Sequence, residues 1–96
     1  MPQHSPAPPT VQIRLPDALV RLFPDSRREV ALTAASVNEA IDALDACWPG
    51  MRDRICDSRP AIRRHVNVFV DGEPATLGTP LQPGSELLVF TAISGG

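Results

Sequence analysis

No lysine occurs in the 96 residues, and arginine supplies all nine basic charges against eleven acidic ones. A GC-rich genome writing Arg for Lys accounts for this absence. Its chemical consequence holds whatever the cause: with no side-chain amine to acylate, the chain cannot form lysine-linked chains with copies of itself. The formal charge of -2 provides no field able to hold a nucleic-acid backbone, so nucleic acid is excluded as an expected partner. No apolar run approaches the ~20 residues of a membrane span, and the N-terminus has neither a basic start nor an apolar secretory stretch. A cytoplasmic protein without membrane contact is expected. Cys47 and Cys56 are too few for a secreted disulfide framework, and no Cys or His spacing suits zinc. No Gly-rich phosphate loop follows a strand, and no nucleophile–base pair assembles, so no metal, bound cofactor or enzyme site is expected. Cys47, beside Trp48, reads as a small buried hydrophobe.

What is present reads as one domain, since 96 residues leave no room for a second. Residues 1–9 carry Pro2, Pro6, Pro8 and Pro9 with no apolar period, the composition of an extended arm outside the fold; His4 lies in it. Residues 10–90 hold the domain. Val11, Ile13 and Leu15 alternate with Gln12 and Arg14 as a half-buried strand that Pro16 stops. Asp17 to Ser26 reads as a wide connection that tucks Leu19, Val20, Leu22 and Phe23 under the sheet edge. Val30 and Leu32 mark a short second strand.

Ser36-Val37-Asn38-Glu39 fits a capping box, and Val37, Ile41, Leu44 and Trp48 form one apolar helical stripe ended by Pro49-Gly50. Met51 to Arg64 reads as an Arg-rich surface connection with one helical turn anchored by Met51 and Ile55. In the strand from His65 to Val70, Val66, Val68 and Val70 share one face, with His65, Asn67 and Phe69 on the other. Asp71-Gly72 turns the chain into a brief partner strand, Glu73 to Thr76. Pro83-Gly84 precedes the last strand, Glu86 to Phe90, and residues 91–96 form a tail. Strand, strand, helix, strands is the order of an α+β layer with a single helix on one sheet face. The other face is left to solvent or a partner.

The tail ends in Gly95-Gly96. At ~7% glycine, such an ending arises by chance in roughly 0.5% of chains, which makes position more informative here than composition. Six extended residues reach about 20 Å, far enough to enter another protein's active site. Glycine permits close backbone approach, so the end can pass a narrow channel and present an unhindered carboxylate.

Four segments together carry a family resemblance: Trp48-Pro49-Gly50 closing the helix, Val66-Asn67-Val68-Phe69-Val70-Asp71-Gly72-Glu73, Pro83-Gly84-Ser85-Glu86, and Phe90-Thr91-Ala92-Ile93-Ser94-Gly95-Gly96. From about Thr10 to Gly96 the chain resembles the β-grasp, ubiquitin-like sulfur carriers of the MoaD/ThiS group. That group includes the thiamine and cysteine-synthesis carriers and the small subunit of molybdopterin synthase. The resemblance implies a mixed sheet of four to five strands with one main helix packed on one face. It also implies a co-substrate rather than an enzyme: an adenylyltransferase resembling the ubiquitin-activating enzymes uses ATP to adenylate Gly96, with Gly95 as spacer. A sulfur donor protein then yields a thiocarboxylate that a downstream sulfur-accepting enzyme consumes. The pattern is closest to the cysteine-synthesis carriers, whereas Thr91-Ala92 replaces the proline pair common in molybdopterin synthase. A modifier conjugated through Gly96, the small subunit of molybdopterin synthase and a non-reacting binding module remain alternatives. Strand parity and the family's aromatic before the tail put partner-binding residues at Phe69, Phe90 and Leu88, with Ile93 in the tail and Arg63 and Arg64 at the rim.

Overall fold

The computed structural model describes residues 9–91, so Ile93, Gly95 and Gly96 and the arm to Pro8 lie outside the described residues. Strands β1 (Thr10–Arg14), β2 (Glu29–Thr33), β3 (Val66–Val70), β4 (Glu73–Pro74) and β5 (Glu86–Thr91) form one sheet in the order β2-β1-β5-β3-β4. β1 and β5 run parallel in the middle; every other neighbouring pair is antiparallel. Helices α1 (Asp17–Leu22), α2 (Val37–Cys47) and α3 (Met51–Ile55) supply the second layer. This is the β-grasp arrangement the resemblance implies.

The core follows the expected parity. Val11 and Ile13 of β1, Val66, Val68 and Val70 of β3, and Leu87 and Val89 of β5 are buried together with Val37, Ala40, Ile41 and Leu44 of α2. Each strand thus turns one face to the helix layer, as period-2 alternation requires. Val30 and Leu32 are only half-buried, because β2 is an edge strand with a neighbour on one side alone.

The start of α2 satisfies every exposed amide. Val37 and Asn38 donate to the carbonyls of Thr79 and Leu77, and Glu39 N–H donates to Ser36 Oγ at 3.2 Å. The Glu39 carboxylate accepts from Ala35 N–H at 3.2 Å, one residue before the cap rather than at it. At the other end Asp45 Oδ1 accepts from both Gly50 and Arg52 N–H at 3.0 Å, fastening α2 to α3. Gly50 has φ of 100°, the left-handed conformation a side chain would strain.

Six expectations need correction. Residues 17–22 form a helix rather than an open connection: Pro16 presets the entry, and its carbonyl accepts from the N–H groups of Leu19 and Val20. Six residues are too few to show helical periodicity in sequence. Leu19 is buried as expected, but Leu22 is 52% exposed. Cys47 is exposed: three residues after Leu44 it lies about 60° round the helix, at the margin of the stripe in the last turn. Trp48 is half-buried, since it is the C-cap and its backbone has left the helix. Finally, β3 begins at Val66 rather than His65, and β4 spans two residues, not four. Met51 and Ile55, the expected anchors of the next helical turn, are fully buried in α3.

The loop from Cys56 to Ile62 is closed by a bridge between those two residues and by Asp57. Asp57 Oδ1 accepts from Arg59 and Ala61 N–H, while Oδ2 accepts from Arg59 Nε at 2.8 Å. These bonds, led by the Arg59 side chain, hold the Asp57 carboxyl down at about 2 instead of its usual 3.8. Burial pushes the neighbouring Cys56 thiol up, which keeps it protonated and inert.

Leu44→Ala is expected to cost ~2–5 kcal/mol in denaturant unfolding, the range for truncating a fully buried leucine. A loss below about 1 kcal/mol would contradict the packing of this face. Because the folded Asp57 is more acidic than the unfolded one, its stabilisation is complete above pH ~4 and disappears as pH falls through about 2. In an NMR titration the Ala61 amide is expected to keep its folded shift down to pH ~3 and to lose it below; Asp57→Asn is expected to abolish that step.

Candidate functional site

β5 is the central strand, and its last described residue, Thr91, pairs with Val66 at the start of β3. The five residues that follow lead to Gly96. The neighbourhood of Thr91 is therefore the root of the tail, built by three strand ends: β5, the start of β3, and the end of β1, which runs parallel to β5.

On the face away from the helices, β5 presents Leu88 and Phe90, and β3 presents Phe69 and Asn67. Cross-strand pairing sets Leu88 between Arg14 and Phe69, and Phe90 opposite Asn67. Phe90 is 46% exposed, one of two large apolar side chains so open among the described residues; Leu88 and Phe69 are half-buried. The two rings meet edge to face, with centroids 5.8 Å apart and planes at 75°. Such a contact fixes the Phe69 ring and leaves a face of Phe90 to solvent. The expected separation of Leu87 and Val89 from Leu88 and Phe90 is what the strand shows. α1 does not bury Phe90.

A groove of about 350 Å³ opens beside Phe90 and Leu88. Its far wall is Arg14, Pro16, Arg28 and Glu29, four residues the sequence reading did not place there. Arg14 faces Glu29 at 3.6 Å, and Arg28 Nε meets Asp17 at 2.8 Å, so the wall is polar but internally paired. Parity had put Arg14 on the outer face; what no local pattern reveals is that β1 lies directly beside β5.

Arg63 and Arg64 sit at the same end of the molecule but not in this groove. Arg63 is half-buried, donates from Nε to the Asp53 carbonyl at 2.7 Å, and lines a separate groove of about 460 Å³ with Leu22, Phe23, Gly50 and Arg54. Arg64 and His65 are exposed just before Val66. Among the described residues no group of three or more His, Cys, Asp or Glu could hold a metal ion. No helix among them is long and apolar enough to cross a membrane.

Comparison with known proteins places this geometry. Residues 13–96 match the model of the ThiS family. Small archaeal modifier protein 1 of Haloferax volcanii is 37% identical over 62 residues, covering 65% of this chain and 71% of that protein. Its crystal structure superposes with a TM-score of 0.77 at 30% identity, over 91% of this chain and 99% of that one. CysO in the BexX/CysO complex of Amycolatopsis orientalis shares the fold, with a TM-score of 0.79 at 24% identity over 90% and 99% of the two chains. With the family model matched over residues 13–96 and the fold shared with a small modifier, this chain belongs to the ThiS family of β-grasp, ubiquitin-like proteins.

Proposed function

We propose that this protein is a sulfur carrier whose working group is the carboxylate of Gly96. The observation that carries the reading is that the central strand ends in an exposed aromatic, Phe90, and in Thr91, with Gly95-Gly96 following in sequence within five residues. A partner gripping Phe90 and Leu88 holds the root of the tail while the glycines, free of side chains, reach up to ~17 Å into its active site. Phe90 is the anchor in this reading, Phe69 its support, Ile93 an additional contact and Arg63 and Arg64 rim charges.

The chemistry proceeds in the partner. A Gly96 carboxylate oxygen attacks the α-phosphorus of ATP and expels pyrophosphate, leaving an acyl-adenylate. Sulfur at the sulfide level, delivered by a donor protein, attacks the acyl carbon and expels AMP. The carboxylate, a poor electrophile, thereby becomes a thiocarboxylate, a nucleophilic sulfur tethered to its carrier. A downstream enzyme of cysteine or other sulfur-metabolite synthesis accepts it. ATP is used by the activating partner and not held by this chain, and the cycle takes place in the cytoplasm.

A second reading, conjugation of Gly96 to lysines of other proteins, draws support from the similarity to small archaeal modifier protein 1. Both begin with the same adenylate. They part at the nucleophile, sulfide for one and an amine for the other. With no lysine of its own, the chain would make single conjugates rather than side-chain-linked polymers.

Deleting Gly96, or adding one residue after it, is expected to abolish ATP-dependent adenylation with the melting temperature nearly unchanged. The readout is the mass of the intact chain after incubation with ATP, the adenylyltransferase and sulfide: a gain of about 16 Da marks exchange of oxygen for sulfur, and an isopeptide remnant on target lysines marks a modifier. Thiocarboxylation of the truncated chain would overturn both readings. Phe90→Ala is expected to weaken binding to the activating enzyme at least tenfold while costing about 1 kcal/mol or less in stability, the scale of one edge-to-face contact. Normal binding with a loss of several kcal/mol would instead assign Phe90 to the core.

A further inference from the structure

The nine arginines divide by pairing. Arg14, Arg28, Arg52 and Arg59 each meet a carboxylate. Arg21, Arg27, Arg54, Arg63 and Arg64 form no ion pair among the described residues, and the topology gathers all five at one end. Arg21 and Arg27 lie in the segment linking the end of β1 to the start of β2, a segment closed by the bond from Leu15 N–H to the Arg28 carbonyl. Arg54 and Arg63 line the groove under Leu22 and Phe23 of that same segment. Arg64 lies two residues before Val66, which pairs with Thr91 at the end of β5. All five positions lie at the end of the molecule from which the tail leaves.

The carboxylates without a basic partner favour the opposite end. Asp71 and Glu73 bound the turn between β3 and β4, Glu86 opens β5, and Glu39 opens α2. Asp25, Asp45 and Asp53 are the exceptions at the arginine end, where the five guanidinium groups outnumber them; Asp45 accepts from the amides of Gly50 and Arg52 and keeps its charge. A chain of net charge -2 is therefore polarised, with an excess of guanidinium groups at the end where the tail leaves and an excess of carboxylates at the far pole.

We infer that the arginine end is a steering and docking surface for an acidic rim on the protein that receives the tail. The inference rests on the carrier reading, since it requires a partner that takes Gly96. An evenly distributed charge of -2 would be repelled by an acidic partner in every orientation. The polarised chain is attracted in one orientation only, with the tail foremost. Complementary patches of this kind raise association rates from about 10⁵–10⁶ toward 10⁸–10⁹ M⁻¹s⁻¹ at low salt. A protein surface fits better than RNA, because the arginines surround the apolar Leu22 and Phe23 and the overall charge opposes a polyanion.

Arg21 and Arg27 are exposed and form no ion pair among the described residues, so R21E/R27E is expected to fold normally, checked by its melting temperature. Its association with the adenylyltransferase of the ubiquitin-activating type from the same source, followed by stopped-flow fluorescence without ATP, is expected to be at least tenfold slower than wild type at about 0.02 M salt. At about 0.5 M salt, where screening is nearly complete, the two rates are expected to agree within about twofold. Glu73→Gln, at the far pole, is expected to leave the rate unchanged. Equal rates at low salt, an equal effect of Glu73→Gln, tighter binding of a single-stranded RNA oligomer, or no association of the wild type each overturn the inference. Steered association of a wild type that is never adenylated overturns the carrier reading alone.

Discussion

The parallel pairing of β1 with β5 is the contact on which the rest of the molecule depends. Gln12, Ile13 and Arg14 stand beside Glu86, Leu87 and Leu88, joining the first strand to the last across almost the whole chain. A parallel pair cannot be closed by a tight turn, so everything between must cross over and return. Between them come β2, β3 and β4, which join the same sheet, and α1, α2 and α3, whose apolar side chains have one sheet face to cover. With β5 in the middle, Leu87 and Val89 are sealed under α2, and their neighbours Leu88 and Phe90 must appear on the other side.

That constraint links stability to function through one strand. The residues that hold β5 in place and the outward residues that the proposed reading assigns to a partner alternate along a single stretch of backbone. A shift of one position would bury Phe90 and expose Val89. Register is therefore guarded from both ends. Asp71 accepts from Glu86 N–H at 2.9 Å and from Ser85 Oγ at 3.1 Å, while Asp71 N–H donates to the Glu86 carbonyl at 2.9 Å. At the opposite end Val66 pairs with Thr91 and the Phe69 and Phe90 rings meet. The tail is thereby delivered from a strand whose position and facing are both determined.

Much of this was legible in the sequence because it is local. Alternating valines and leucines, the Ser36 cap, Pro49-Gly50 and Asp71-Gly72 each announce themselves within a few residues, and all mark features of the structure. What was missed was short or marginal. α1 has too few residues for a period, Cys47 sits where the apolar stripe meets solvent, and Trp48 has already turned out of the helix. The outer wall of the groove beside Phe90 was hidden for another reason: Pro16, Arg28 and Glu29 become neighbours of Leu88 only through the sheet.

By itself the sequence determined which side of each strand is apolar, where the helix begins and ends, the absence of lysine and the Gly95-Gly96 ending. These depend on residue type and spacing, which act over one turn or one pleat. Only the tertiary structure decided which strands are neighbours, and with that where unpaired charge accumulates. Arginines spread from position 21 to position 64 come together at one end because β1 and β5 finish side by side and the connections to β2 and from α3 turn there. Pairing between distant segments costs chain entropy that only the completed core offsets, so it is a property of the whole fold and of no single stretch of it.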